Sequence, residues 1–272
     1  MKTWFITGAS SGLGRIMTEK LLARGDSVIA TLRRPDALAD LTDQYGAQLS
    51  LIALDVTDTP AIRSAIGQAF AAGRVDVIVS NAGYGLFGPA EELSDDAIER
   101  QIATNLIGSI QLIRAALTPL RAQGGGRIVQ VSSEGGQIAY PGFSAYHATK
   151  WGIEGFVEAV RQEVAGFGID FILAEPGPTR TNFGAALDLV APSAVYAGTP
   201  VDMVLRAFTE GTFELRGGAG PTVDAMIAAA GSGMSRTGPM WIEAAGRRAV
   251  LRDGVHRTVS SRLGHGGGIL RR

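Results

Sequence analysis

The chain contains no cysteine. That excludes disulfides, thiolate chemistry and any cysteine-bound zinc. Histidine is almost as scarce. His147, His256 and His265 are the only three, they lack metal-ligand spacing and have few carboxylates near them, so no metal site is expected. The net charge is only −1, with no basic block and no lysine patch interleaved with aromatics. Nucleic acid is therefore not an expected partner. No apolar run approaches the ~20 residues that a spanning helix needs. Met1-Lys2 leads directly into the strand-like Thr3-Trp4-Phe5-Ile6-Thr7, not into the apolar core of a signal segment. The expectation is a soluble, cytoplasmic protein without a membrane partner.

What the chain does have is alternation. Val/Ile/Leu-rich runs at about 3–7, 27–31, 49–53, 76–80, 127–131 and 169–174 are separated by helical stretches beginning near Leu13, Pro35, Thr59, Asp95 and Ala145. Apolar on both faces, such runs suit buried parallel strands. The pattern predicts an α/β fold: a doubly wound, mostly parallel, three-layer sheet of Rossmann type, in one domain over 1–272. Ser94 before Asp95-Asp96 reads as an N-cap with acids in the first turn. Gly124-Gly125-Gly126 reads as that helix's stop. After Pro176 the alternation fails, and about 182–220 reads as a lid over the ligand crevice of the sheet. Met240-Trp241-Ile242 suits a seventh strand, and 264–272 a frayed tail.

Between the first strand and first helix lies Thr7-Gly8-Ala9-Ser10-Ser11-Gly12-Leu13-Gly14. Gly8 permits a tight turn. Gly12 and Gly14 let backbone approach a pyrophosphate and helix pack on strand, while Ser10, Ser11 and Leu13 complete the cradle at the helix N-terminus. The second strand ends in Leu32-Arg33-Arg34, without the acid that would hold a ribose 2′-hydroxyl. Two guanidiniums instead favour a 2′-phosphate, hence NADP(H), with Arg33 first, Arg34 beside it and Ser11 as helper. Asp55-Val56 and Asn81-Ala82-Gly83 follow the third and fourth strands. Asp55 suits the adenine amino group and Val56 the ring. Asn81 either ties strands together or lines the cleft, and Gly83 leaves room.

Tyr146 and Lys150, at i and i+4, share one helix face. A phenol near its usual pKa of about 10 is a poor base at neutral pH. A nearby ammonium and an oxidised nicotinamide are expected to lower it toward the range that acid–base catalysis needs. Ser133 is placed to stabilise charge on a substrate oxygen. His147 points elsewhere and receives no catalytic role.

In their order along the chain, the glycine turn, Asn81-Ala82-Gly83, Asn105, Ser133, Tyr146, Lys150 and Pro176-Gly177 resemble the compact branch of the short-chain dehydrogenase/reductase family, over roughly 3–181. Val28 to Arg34 and Asn81 to Pro89 look most like its NADP-dependent members near 17β-hydroxysteroid and retinol dehydrogenases. The resemblance implies that Asn105 sits in a helix distortion and holds a water relaying protons to Lys150. It implies that Lys150 binds the nicotinamide ribose and that Thr181 contacts the carboxamide. It also carries Pro176, Gly177 and Thr179 into the cofactor site and Ser133, rather than Ser132, into the catalytic one. Family members often pair through the helices here at about 95–123 and 145–167, implying a homodimer or homotetramer. The resemblance fades after Asn182, and the chain's end lacks a Val-Asp-Gly-Gly-like strand.

The expected reaction is hydride transfer between NADP(H) and a hydrophobic ketone or aldehyde and its alcohol, with Tyr146 as acid/base. Pocket walls are expected from Tyr84, Leu86, Phe87, Gln137, Tyr140, Phe143, Phe183 and Leu187. Two other classes fit parts of this pattern. A sugar-nucleotide epimerase or dehydratase shares the fold, but its glycine spacing differs. A non-catalytic NADP(H) sensor or scaffold needs only the cleft, yet all four catalytic side chains are present.

Overall fold

The computed structural model describes residues 1–180, 183–184, 187–213 and 217–231, and 240–244 as strand backbone. Thr181, several positions of the expected lid and the 264–272 tail lie outside the described residues. The elements run β1 (Thr3–Thr7), α1 (Gly12–Ala23), β2 (Ser27–Leu32), α2 (Ala39–Tyr45), β3 (Leu49–Ala53), α3 (Thr59–Ala72), β4 (Val77–Ser80) and the short β5 (Leu86–Phe87). They continue with α4 (Asp95–Ile102), α5 (Gly108–Ala122), β6 (Gly126–Val131), α6 (Ser144–Glu163), β7 (Ile169–Pro176) and β8 (Thr179–Arg180). The last group is β9 (Asp188–Leu189), α7 (Pro200–Thr209), β10 (Gly217–Gly218), α8 (Ala219–Gly231) and β11 (Met240–Ala244).

Seven strands form one parallel sheet in the order β11-β7-β6-β4-β1-β2-β3. The chain winds outward from β1 in both directions, so the order reverses between β1 and β4. That gap, at the strands' carboxyl ends, is where such a sheet opens a crevice for ligand. Side chains alternate across the sheet. Trp4 and Ile6 join α1 and α8 through Met17, Leu21, Leu22, Val223 and Met226. Phe5 and Ile78 join α3, α5 and α6 on the other face, among Ile62, Ile66, Ile113, Ile153 and Val157. The three-layer, doubly wound architecture is as the alternation predicts.

The helix distortion that the resemblance implies at Asn105 is present, and one helix starts later than the alternation suggests. The helix beginning at Asp95 is interrupted by a π-turn at Ala103–Ile107. Within it Asn105 turns both side-chain polar atoms onto the Tyr84 backbone, accepting from its N–H at 3.1 Å and donating to its carbonyl at 2.8 Å. Such one-turn bulges often mark functional positions. After Pro35, a 3₁₀ turn (Pro35–Leu38) precedes α2. Ser94 caps α4 as expected, accepting from Ala97 N–H at 3.2 Å. The segment after Pro176 is ordered by β9 pairing with β5 and β10 with β8. It is tied down by Glu91, which accepts from the Tyr196 hydroxyl at 2.6 Å, and by Glu92, which accepts from Ser193 N–H at 3.0 Å.

Asp26 anchors the outer end of β1. Only 4% exposed, it accepts from Lys2 N–H at 2.9 Å, Trp4 Nε1 at 3.2 Å and Arg24 Nε at 2.9 Å. Burial alone would raise its pKa. The Arg24 guanidinium, the Lys2 amide and the Trp4 indole outweigh it and hold the carboxyl below its ordinary value. A depressed folded pKa stabilises above the unfolded pKa and is lost as pH falls through the folded one. Asp26→Asn is therefore expected to destabilise the fold by about 1–3 kcal/mol at pH 7. Urea unfolding should show the gap to wild type closing below about pH 4, near the unfolded carboxyl's pKa; a gap independent of pH would refute this account.

Candidate active site

The crevice floor is bolted shut by Thr7 and Asn81. Thr7 Oγ1 accepts from Asn81 N–H at 2.9 Å and Ala82 N–H at 3.1 Å, and donates to Val79 O at 3.3 Å. Asn81 Nδ2 donates to Thr7 O at 2.9 Å and Gly8 O at 3.2 Å. The closeness demands glycine twice. A Cβ on Gly8 would lie 2.8 Å from Ala82 Cα, with φ already at +66°. One on Gly14 would overlap the Gly8 carbonyl oxygen and lie 2.6 Å from Asn81 Nδ2.

Gly12 differs. Its φ is +55°, and a Cβ there would meet nothing within 4 Å, so it borders open space where α1 begins. Ser11 occupies the N-cap without a side-chain capping bond, and Ser10 and Ser11 are both exposed. First-turn N–H groups of a helix lack intrahelical acceptors. An open cradle of this kind at a helix N-terminus fits a pyrophosphate. Leu13 is half-buried at its edge.

Beyond buried Leu32, Arg33 and Arg34 are exposed at the end of β2. Asp55 Oδ1 accepts from Thr57 N–H at 2.9 Å and Thr57 Oγ1 at 2.8 Å. Those bonds, with Arg33 nearby, hold its carboxyl below the ordinary range. Val56 packs on Gly108, where a Cβ would come within 2.6 Å of Val56 O. Gly83 lies against Asn105, with room for a Cβ only 3.1 Å from Oδ1. At the end of β7, past Pro176, Gly177 O accepts from Thr179 Oγ1 at 2.8 Å.

Helix α6 places Tyr146 and Lys150 one turn apart, 9% and 7% exposed. Lys150 Nζ lies 5.6 Å from the Tyr146 ring centroid and donates to Val131 O at 3.0 Å. The Ser133 hydroxyl acts on the Tyr146 phenol closely enough to lower its pKa, and its Oγ accepts from Gly135 N–H at 3.1 Å. Burial dominates the electrostatics of both groups. It pushes the Tyr146 phenol up to about 12, opposed by Ser133 and reinforced by the Glu134 carboxylate. It pulls Lys150 down to about 8, opposed by Glu154. The expected lowering of Tyr146 is thus not a property of the chain alone, because desolvation acts on the phenol directly while Lys150 faces a carbonyl and the ring.

Around the phenol stands an aromatic cluster. Phe87 and Phe143 meet edge-to-face at 5.0 Å, Phe143 and Tyr146 at 6.0 Å, and Phe183 lies 5.8 Å from Tyr146. Leu187 and Tyr140 pack on the same cluster. Three expected wall residues are engaged elsewhere. Leu86 turns to Leu93 and Ala97. Gln137 Nε2 donates to Glu154 and, at 3.3 Å, to Glu175. Tyr84 has its backbone bonded to Asn105.

Sequence reasoning missed two contributors. Val201, Val204, Leu205 and Phe208 of α7 cover the cluster, and their i, i+3, i+4, i+7 spacing is an amphipathic-helix signal that was there to be read. Glu134 accepts from the Tyr140 hydroxyl at 2.6 Å and acts electrostatically on the Tyr146 phenol. His147 has no chemical part. Its Nε2 accepts from Tyr140 N–H at 2.8 Å while Nδ1 faces Gly135 O at 2.8 Å, which fixes the neutral Nδ1–H tautomer and pins the 134–140 loop.

Residues 2–189 match the family described as short chain dehydrogenase. Oxidoreductase BOA17 of Botryotinia fuckeliana (strain B05.10) is 42% identical over 201 residues, 73% of each chain. A short-chain dehydrogenase from Streptomyces avermitilis superposes with a TM-score of 0.79 at 36% identity, covering 89% of this chain and 88% of that one. The closed form of a serine dehydrogenase complexed with NADP+ gives 0.72 at 25% identity, covering 98% and 100%. The chain belongs to the short chain dehydrogenase family and is an oxidoreductase dependent on a nicotinamide dinucleotide.

Gly14→Ala tests the bolt. The added methyl must displace the Gly8 carbonyl or Asn81, so dinucleotide affinity, followed by NADPH fluorescence, is expected to fall at least about tenfold, as displacement of one hydrogen-bonded group implies. Unchanged affinity would mean that the turn is not packed as described.

Proposed function

We propose that the protein is an NADP(H)-dependent carbonyl reductase/alcohol dehydrogenase acting on hydrophobic ketones or aldehydes. The observation that carries this reading is the buried Tyr146–Ser133 pair, set in an aromatic cluster at the carboxyl end of the sheet. Gly8, Gly12 and Gly14 with the first turn of α1 hold the pyrophosphate, and Arg33 with Arg34 selects the 2′-phosphate. When bound, the dinucleotide supplies or accepts the hydride at the carbonyl carbon.

The chain's own groups then handle the oxygen. Ser133 hydrogen-bonds it and stabilises the charge that develops there. Tyr146 gives up its proton to that oxygen in reduction and takes it back in oxidation. With its pKa at about 12 before cofactor binds, the phenol is protonated at neutral pH, the form that reduction requires. Lys150 keeps a positive charge near the phenol, and Asn105 holds the turn packed against α6. Segment 182–220 acts as a lid, α7 excluding water through Val201, Val204, Leu205 and Phe208. Its apolar lining favours a hydrophobic substrate over a sugar or an anionic acid. Pairing of copies through α5 and α6 fits the half-exposed Trp151 on α6 and Phe167 just beyond it.

The test is NADPH and NADH oxidation against a panel of hydrophobic ketones and aldehydes. Tyr146→Phe is expected to lower kcat by ~10²–10⁴. Arg33→Ala is expected to raise the KM for NADPH by about 10- to 100-fold and to leave that for NADH nearly unchanged. Oxidation should also rise with pH as the phenol ionises, while reduction persists to higher pH. Turnover in Tyr146→Phe equal to wild type, or preference for NADH, would overturn the corresponding assignment.

A further inference from the structure

Three consecutive residues at the end of β6 each receive a side chain from α6. Val131 O accepts from Lys150 Nζ at 3.0 Å, Ser132 Oγ donates to Glu154 Oε1 at 2.5 Å, and Ser133 lies near enough to Tyr146 to lower its pKa. Tyr146, Lys150 and Glu154 follow one another at four-residue intervals, so they line a single face of the helix. Glu154 is 5% exposed, an expensive place for a carboxylate unless it is bonded and balanced. Gln137 donates to its second oxygen, and a Cβ on Gly136 would overlap Oε1, so the loop is shaped around this carboxylate. Ser132 is itself fixed to β7 through its N–H to Ala174 O at 2.7 Å.

We propose that Glu154 is a positioning residue of this site: its buried carboxylate fastens the strand end carrying Ser133 onto the helix carrying Tyr146 and Lys150, and balances the charge of Lys150 one turn away. Lys150 is pulled down by burial and held up by Glu154. Without that support, Lys150 would spend more of the neutral range uncharged and unable to hold a positive charge beside the phenol. Among the described residues, other titratable groups near this face of α6 include Tyr146, His147 bonded to the 135–140 loop, Tyr140 on Glu134 in the turn after β6, and Glu175 on β7, which reaches Glu154 through Gln137. The buried polar side chains of α4 and the π-turn, Gln101 and Asn105, are uncharged and both donate to the Tyr84 carbonyl.

The meaning for catalysis rests on the proposed reaction, but the electrostatic test needs no turnover. The chain has only three lysines, Lys2, Lys20 and Lys150, so ¹³C-lysine labelling of the full protein gives an assignable titration. Lys150 is expected to titrate at about 8 in wild type. In Glu154→Gln its midpoint should fall by about one pH unit, whereas Glu154→Asp, which retains the charge, should stay close to wild type. In wild type the Glu154 carboxyl carbon should show a matching inflection at the Lys150 midpoint, a measurement that holds even if the Gln variant does not fold. An unmoved midpoint in Glu154→Gln, or no inflection at Glu154, overturns the inference. With an active ketone in hand, kcat of Glu154→Gln near pH 8 should drop about fivefold with KM nearly unchanged, the loss that a one-unit shift produces. Absence of turnover in wild type would instead sink the proposed reaction and leave the titration to decide on Glu154.

Discussion

The rest of the site depends on how closely β1 and β4 approach at their carboxyl ends. Ordinarily the point where strand order reverses leaves two loops diverging into solvent. Here Thr7 and Asn81 cross-link them with hydrogen bonds to backbone groups of the other strand's loop. Each such bond contributes only about 1 kcal/mol net, but leaving any of those buried groups unpaired would cost more. Satisfying them demands a turn so tight that Gly8 and Gly14 have no space for a methyl. The free space at Gly12 is the other side of the same packing, because the turn that presses on Asn81 carries the start of α1 outward. The open space beside Gly12 is thus a consequence of strand closure, with no side chain needed to build it.

A second constraint operates at the reacting end. Tyr146 and Lys150 are nearly excluded from water, and desolvation disfavours the charged form of both. The phenol is therefore held neutral and the amine only weakly basic, the opposite of an intimate phenolate–ammonium pair. That polarity suits proton donation. It also gives importance to every charge within reach, since a dry site screens little. Glu134 pushes the phenol further up and Glu154 keeps the amine from falling further. Two acids thus act on the pair in the same sense, each favouring the protonated form of its neighbour.

Much of this was legible in the chain. Buried parallel strands write continuous apolar runs, and the bounds of β1 and β3 follow those runs to the residue. The tight turn between β1 and α1 was legible because its glycines fall between a strand-like run and a helical one, not because glycine is rare in turns. The interruption at Asn105 was legible only through the family resemblance, since the residue pattern carries no mark of the long-range bonds that Asn105 makes to the Tyr84 backbone. Gln137 and Leu86 misled for a related reason. In a short loop or a two-residue strand, neighbours such as Leu86 and Phe87 face opposite ways, and composition does not say which faces the substrate. The direction of the Tyr146 shift was hidden because burial, unlike the spacing of Tyr146 and Lys150, belongs to the folded chain only.

The aromatic cluster joins these strands of argument. Phe87 is carried by β5, Phe143 by the start of α6 and Phe208 by α7, so the walls come from three separately anchored pieces. Gly142, at φ +84°, lets the backbone pass within contact of the Phe87 ring. Gly85 does the same beneath Phe183 and Leu187, where a Cβ would lie 2.7 Å from the Phe183 ring. Each edge-to-face pair adds only about 0.5–1.5 kcal/mol, so no single ring contact holds the cluster together. The same contacts keep water from the phenol and so sustain the raised pKa that burial gives it. Packing and acidity at Tyr146 are therefore coupled through one set of rings.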